Sequence, residues 1–594
     1  MLRRKELHSD FCVIGGGMAG ICAAIEAARA GAKVVLMHER PVLGGNASSE
    51  IRMWVCGASG ENNRETGILE EIALENFYRN PTKNYYIWDT ILYDFVQREE
   101  NITLLLNCTC MDAQTETGAF ADGRSIRINS VSGYQMTTQT FFDVYAENYA
   151  DCSGDSILAP LTGAKFRVGR ESAEEFGEDT HVKTPDKLTM GMSCLLQGRE
   201  TGKPVKFIPP AWATPLTQND FSYRKPDIYN SYENFWYLEL GGNRDSIHDT
   251  EEIAKELIPL ALGTWSHIKS SPEYNAENWE LDFLGFLPGK RESRRMVGEY
   301  IITERDITEN HSFEDTVAYG GWPLDDHFPD GFYHKGRPNT DIHTPAPYCI
   351  PYRALYSCNV ENLFFAGRNI SMTHMAMSSI RVMATCALLG QAVGCAAAIA
   401  AKRHITPHGV YKQQLHELRE RLCDDDCFLP NMRRTISELC RNTSVTNGTD
   451  ALKDGADRPH KTVYNSEICG VSVKNNTPLE YRFAEKKHID TLHITFDSDL
   501  NRSTLPGDYC ERTHIMRSNT LLDSPVFYVP KTLCRKFHAE LICSTGDIRI
   551  LDEENNLKRA YNIKIDRDAE GIRLVPVENW GGTDETTVFS FDFK

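Results

Sequence analysis

The chain has no C-x-x-C pair, no compact cysteine framework, no apolar run long enough to cross a bilayer, and too few basic residues to balance its acids. Its 594 residues carry 64 Lys and Arg against 83 Asp and Glu, a net charge of −19. A surface that negative repels a phosphate backbone, so nucleic acid is excluded as a partner, and the short basic cluster Arg3–Lys5 does not reverse this. The 18 cysteines are scattered. Cys108 and Cys110 alternate onto one face of a strand pattern, and Cys423 and Cys427 flank three aspartates with no second ligand pair nearby. That usage implies reduced thiols in a cytoplasmic protein and no metal site. The small-residue run Cys386–Ala401 is shorter than a membrane span and holds Gln391, Gly390 and Gly394, which fits a buried helix. No apolar signal core precedes the first glycines. The length exceeds one hydrophobic core, so about two to four domains are expected.

What is present begins at "FCVIGGGMAGICAAIEAARAGAKVVLMHER", Phe11 to Arg40. The spacing Gly15-x-Gly17-x-x-Gly20 is weak alone, but its surroundings give it meaning. "DFCVI" reads as a buried strand, "MAGICAAIEAARA" as a helix with small residues on one face, and "KVVLMH" as a second strand. Each glycine then has a physical role. Gly15 permits a tight turn, Gly17 admits a pyrophosphate close to the backbone, and Gly20 lets the helix pack on its strand. The unpaired N–H groups of the helix start, at Met18 and Ala19, face the diphosphate. The acid Glu39, about twenty positions after the glycines, is placed for the ribose hydroxyls. These residues describe a nucleotide site.

The next stretch, "ERPVLGGNASSEIRM" from Glu39 to Met53, carries a second glycine pair, Gly44 and Gly45. It resembles the FAD enzymes of the glutathione-reductase and fumarate-reductase superfamily, in which an E-R…G-G segment runs beneath the pyrophosphate. "YADCSGDSILAPLTGA", Tyr149 to Ala164, is similar to that superfamily's strand-ending D-A-T-G-D-G segment, and Asn362 to Ala400 looks like its closing strand–glycine–helix unit. The strings around "GGNASSEIR", "RESRRMVGEY" and "AGRNIS" most resemble a group of bacterial FAD-dependent oxidoreductases, over roughly residues 10 to 435. The resemblance implies non-covalent FAD, since "GGNASSE" offers no histidine for attachment. The cofactor-contacting set it implies is Gly15, Gly17, Met18, Ala19, Gly20, Glu39, Arg40, Gly44, Gly45, Asn46, Cys110, Gly154, Gly367, Arg368 and Asn369. Many relatives have Gly-Asp at the closing glycine. Here Gly367 is followed by Arg368 and Asn369, so the ribityl contact passes to Asn369.

The expected architecture is an α/β Rossmann-like FAD-binding domain, discontinuous over 1–165 and 340–403. An α+β substrate or cap domain over 166–339 is inserted into it. A helical segment and linker follow over 404–461, then an all-β, jelly-roll-like sandwich over 462–594 whose short alternating runs have strand periodicity. The sandwich reads either as a packing and homo-oligomer surface or as a sugar-binding one. In the closing helix Ala384, Ala387, Gly390 and Gly394 recur at helical spacing, giving a smooth face for close packing. Its N-terminus is expected near Ile380.

His374, in "SMTHMAMSSIR", is the one group of that loop with an unperturbed pKa suited to general-base work, and is expected either to take a hydroxyl proton or to be a packed histidine. Arg52 and Arg381 are expected as anion or substrate anchors, or as cofactor and structural contacts. The basic run Lys290–Arg295 reads as a solvated face or as cleft lining, and His343, Tyr348 and Tyr352 as substrate-side groups. The implied activity is an FAD-dependent dehydrogenase or oxidase of a polar alcohol, such as a sugar or glycoside, with hydride passing to flavin N5 and on to an external acceptor. The alternatives are ene-type reduction with an arginine proton donor, and a binding protein with structural FAD.

Overall fold

The computed structural model describes residues 2–120, 122–179, 182–460, 469–506 and 514–594. The expected boundary at 461/462 lies outside the described residues.

A central sheet combines β1 (Arg3–Ile14), β2 (Val34–Met37), β3 (Ile102–Leu105), β4 (Cys108–Thr117), β5 (Ile126–Gln135), β6 (Thr140–Asp151) and β7 (Leu363–Phe365) in the order β3-β2-β1-β6-β5-β4, with β7 also paired to β6. The β3-β2-β1-β6 and β6–β7 pairings are parallel, and β4–β5–β6 are antiparallel. Phe11–Ile14 and Val34–Met37 are buried throughout, as strands covered on both faces must be. The first helix, α1 (Met18–Arg29), follows β1.

The closing helix, Met383–Arg403, lies on α1. Its crossing depends on small residues: a Cβ on Gly390 would fall 2.0 Å from the carbonyl oxygen of Ala19, and one on Gly394 would fall 2.3 Å from that of Ala23. The face anticipated from sequence is therefore the contact face. The helix begins at Met383, after a separate short helix His374–Ile380, so the expected start near Ile380 is displaced by a break at Arg381 and Val382. Among the described residues it is the one helix long and apolar enough to cross a membrane, and it is buried within the protein.

The region between β6 and β7 carries small antiparallel sheets and the helix Thr250–Ser270, packed around Trp265, Trp279, Phe235 and Leu257. The C-terminal region, expected as a sandwich, has among the described residues an antiparallel ladder of six strands, to which Val445–Thr446 of the preceding segment adds a seventh. The long strands Leu479–Phe496 and Ala560–Asn579 form its middle, with register shifts along their pairing. "PVFYVP" is not a strand. Phe527 N–H instead donates to the carbonyl of Pro81, on a segment that also pairs Ile515 with Val55 and joins Thr520 to Gly198. Pro525 and Pro530 remove the donors a ladder needs there. Polar contacts complete the attachment: Arg502 pairs with Glu70, Ser498 donates to Glu70, and Arg458 donates to the carbonyls of Asn62 and Arg64.

Gly390→Val places side-chain atoms where the Ala19 carbonyl lies. Overpacking of this kind costs about 1–3 kcal/mol. We expect a lowered denaturation midpoint together with weakened flavin retention, since α1 must shift, measured by chemical denaturation and by flavin absorbance after gel filtration.

Candidate active site

The register of the central sheet sets the site. Ile14 lies opposite both Met37 and Asp151, and Phe365 lies opposite Asp151. Four parallel strands therefore end level, and the loops that follow them meet at one edge, the carboxyl edge where open α/β sheets bind ligands. These loops line a cavity of about 930 Å³.

Gly15 turns with φ +107°, and a Cβ there would lie 2.3 Å from the Cys152 carbonyl oxygen, so a side chain at this position is excluded. Beyond it the two glycine segments clasp each other. Gly17 and Gly44 form a parallel bridge, Gly44 N–H donates to the Gly16 carbonyl at 2.8 Å, and a Cβ on Gly45 would lie 3.1 Å from Gly17 Cα. The start of α1 has no side-chain cap, so its first N–H groups face the cavity where Met18 and Ala19 line it. Glu39 and Arg40 line the same end. Burial opposes ionisation of Glu39, but His38 and Arg40 outweigh it and hold its pKa at about 2, leaving a carboxylate acceptor. Further along, Asp155 receives Lys290 at 2.9 Å and Arg368 at 2.9 Å, and Arg368 Nε is buried without a partner. A bare-backbone cradle, an uncapped helix start, a carboxylate at the cleft's end and an unspent guanidinium donor together fit FAD. Gly15, Gly17, Met18, Ala19, Glu39, Arg40, Gly44, Gly45, Asn46, Gly154, Gly367 and Arg368 all line the cleft.

Other expected residues are not among the lining. Gly20 is a packing glycine, its Cβ position 1.8 Å from the Gly15 carbonyl oxygen. Cys110 is buried in the sheet, with burial pushing its thiol up to about 12. Asn369 is fully buried and donates through Nδ2 to Asp151 and Ser156, while its Oδ1 has no partner and lies 3.3 Å from the Cβ position of cleft-lining Gly367; Asp155 presents a carboxylate to the cleft. Arg52 is held away by Gln197 at 3.0 Å, by Asp282 at 3.4 Å and by the Phe283 ring, which makes it a tie between β-rich segments and no substrate anchor.

His374 requires the largest correction. Its side chain is 1% exposed and lies between Glu292 (2.9 Å) and Asp326 (2.9 Å). Burial lowers its basicity, but the two carboxylates win and raise its pKa to about 10. A base must arrive deprotonated near neutrality, and this imidazole is held protonated. Of the substrate-side groups, His343 lines the cleft, while Tyr348 and Tyr352 are core residues donating or accepting at Ser379 and Pro407. Lys290 and Arg291 of the basic run face the cleft, while Arg295 is fully buried on Glu171 and Glu292.

At the far end of the cleft the expected Arg381 and Arg291 meet groups the sequence did not single out. His327 Nδ1 lies 2.6 Å from Glu239, and its Nε2 lies 3.4 Å from Asp325. Trp236 meets the imidazole edge to face at 5.2 Å. Arg381 binds Asp325 at 3.0 Å, and Arg291 binds Ser193 at 2.8 Å and Glu239 at 3.4 Å. Burial opposes ionisation of both acids. Arg291 and His327 hold Glu239 below its ordinary range, and His327 and Arg381 hold Asp325 well below it. The one sequence signal was the polar cluster "PLDDHFPDG", which has no periodicity to mark it.

The model of a family described as FAD dependent oxidoreductase matches residues 10–422. No curated protein matches the sequence. Among solved structures, a geranylgeranyl bacteriochlorophyll reductase-like protein of Thermoplasma acidophilum is 13% identical, over 71% of this chain and 85% of that one, with a TM-score of 0.29. The FrdA subunit of E. coli quinol fumarate reductase is 13% identical over 71% and 75%, with a TM-score of 0.27. A family 32 carbohydrate-binding module of Streptococcus pneumoniae EndoD is 11% identical over 27% and 99%, with a TM-score of 0.19.

Gly17→Val fills the cradle and Glu39→Ala removes the ribose acceptor. We expect the first to abolish FAD occupancy and the second to weaken it about tenfold, the scale of one lost hydrogen bond to a charged group, as read by isothermal titration of the apoprotein. The raised pKa of His374 has a pH signature. Its stabilisation is complete below the unfolded histidine value of about 6.5 and is lost as pH rises through about 10. The stability difference between wild type and His374→Gln should thus be largest near pH 6 and shrink towards pH 10 in denaturant titrations.

Proposed function

The chain belongs to the FAD dependent oxidoreductase family, and from that premise we propose that it is a dehydrogenase of a neutral, hydroxyl-rich small molecule such as a sugar or glycoside. FAD is its cofactor, and it supplies the acceptor for the carbon-bound hydride. The observation that carries the reading is the His327–Glu239 pair at the far end of the cofactor cleft. Glu239 orients the ring through Nδ1, and Nε2, 3.4 Å from Asp325, stands at the end of the cleft, where this histidine–carboxylate group is placed for proton transfer with a substrate hydroxyl. Taking the hydroxyl proton makes the ring cationic, and Asp325 at 3.4 Å stabilises that charge.

The substrate class follows from charge balance. Arg291 and Arg381 are matched by Glu239 and Asp325, so the end of the cleft is polar yet close to neutral. An anionic substrate would displace an existing pair, whereas a hydroxyl-rich neutral one exchanges hydrogen bonds at little cost. Trp236 and Trp322, both lining the cleft, supply flat apolar walls for a ring. A second reading, ene-type reduction, is supported by Arg291, whose burial makes it a readier proton donor than an ordinary guanidinium.

The FAD is held without a covalent link in this reading, because Gly44–Glu50 carries no histidine, and acid denaturation then releases the chromophore. The electron acceptor is external, since the chain has neither a second G-x-G-x-x-G after a strand nor a C-x-x-C. We assign the enzyme to the cytoplasm, with the C-terminal region as a packing or subunit-contact surface. His327→Asn should leave FAD bound and slow anaerobic flavin bleaching by an alcohol substrate by about 10²–10⁴-fold, the usual contribution of a general base. Unchanged bleaching with an alcohol, or loss of only an alkene-reducing activity in Arg291→Lys, would transfer the assignment to the second reading.

A further inference from the structure

The charged cluster around His374 lies outside the cleft, yet it grips the segment that builds the cleft's far end. Asp325 faces the cleft, where it binds Arg381, Asn339 and the Trp322 indole N–H. Its neighbour Asp326 points the other way, to His374 Nε2 at 2.9 Å. His327, next in sequence, returns to the cleft. The alternation in this turn means that whatever fixes Asp326 also fixes the two residues on either side of it.

We infer that His374, held between Glu292 and Asp326, is a positioning residue that sets the Trp322–His327 turn and with it the approach of His327 to substrate. This rests on the reading of His327 as the proton-accepting group. The strut has a firm base. Glu292 also pairs with Arg295 and accepts from Met190 N–H. Arg295 pairs with Glu171, and Glu171 accepts from His374 N–H. Arg170 and its partner Asp186 complete the surroundings, and both interact electrostatically with this cluster. Glu171, Asp186, Glu292 and Asp326 face Arg167, Arg170 and Arg295, with His327 acting on Asp326 from the cleft side, and a proton on the imidazole reduces the excess of negative charge. The raised pKa of His374 agrees with that balance. From the other side, Asp326 is fixed by backbone and hydroxyl bonds to Thr340, at 2.8 Å and 2.9 Å. The turn is thus bound at Asp326 by a charge and at Thr340 by a hairpin.

The test uses the FAD-loaded full chain, with Trp322 as a reporter that does not depend on turnover. Tryptophans are replaced biosynthetically by 5-fluorotryptophan, and the Trp322 resonance is assigned by its loss in Trp322→Phe. We expect one sharp resonance in the wild type, unmoved between pH 6 and 8. His374→Gln and Asp326→Asn should each shift or broaden it while FAD stays bound, and the double variant should add nothing to either single one. In the same variants substrate reduction of the flavin should slow by on the order of a hundredfold, with KM changed much less than kcat. If His374→Gln fails to fold, Asp326→Asn carries the test alone. An unmoved Trp322 resonance in folded, FAD-loaded variants overturns the inference, as does a purely thermal loss with kcat intact. If His327→Asn proves harmless while the resonance still moves, the strut stands and the assignment of the base falls.

Discussion

Everything at the site depends on the level termination of four parallel strands. Because Ile14, Met37, Asp151 and Phe365 share one register, the turns that follow them are held at a common edge, and the glycine segments on either side of β2 touch backbone to backbone. A slip of one residue in β1 would carry Gly15 away from the Cys152 carbonyl and turn the buried side chains of the strand to the wrong face. The closing helix adds the same demand from outside. Gly390 and Gly394 bring it onto the carbonyls of α1 with no room for a methyl group, so the uncapped start of α1 cannot drift from the cleft. Binding here is built from backbone, and backbone is positioned by packing.

This explains what the sequence disclosed. Glycines required by close approach leave a trace in any context, and Gly15, Gly17, Gly44, Gly45 and Gly367 were all legible, as was Glu39 through its spacing. The small-residue face of the closing helix was legible for the same reason. The far end of the cleft was not. His327, Asp325 and Glu239 lie on irregular or very short elements with no period to mark them, and the pair that matters joins residues 88 positions apart. His374 shows the opposite failure. Its residue type invited a role as base, while the groups that decide its chemistry, Glu292 and Asp326, lie 82 and 48 positions away in sequence. A pKa is a property of a neighbourhood, and only tertiary structure assembles one.

The C-terminal region is attached more intimately than an appended module would be. Arg502 and Glu70 are both almost wholly buried, and breaking such a pair leaves an uncompensated charge in the interior. The Ile515–Phe527 segment also reaches Val55 and Pro81 of the cofactor-binding part and Gly198 of the inserted part. Cys56, the residue beside Val55, lines the cleft. The segment around Ile515 therefore backs the wall of the site and stiffens it.

Rigidity of this kind has an electrostatic cost that the structure distributes. The inserted region brings Glu239, Arg291 and Glu292, the approach to β7 brings Asp325 and Asp326, and the start of the closing unit brings His374 and Arg381. Arg291 meets Glu239 and Arg295 meets Glu292 within the inserted region, but Asp325, Asp326, His374 and Arg381 are matched only when the three come together. A desolvated charge without its partner costs several kcal/mol, so the assembled arrangement is favoured over any in which one segment swings away. The groups that would meet substrate are thereby fixed by the same pairs that close the fold.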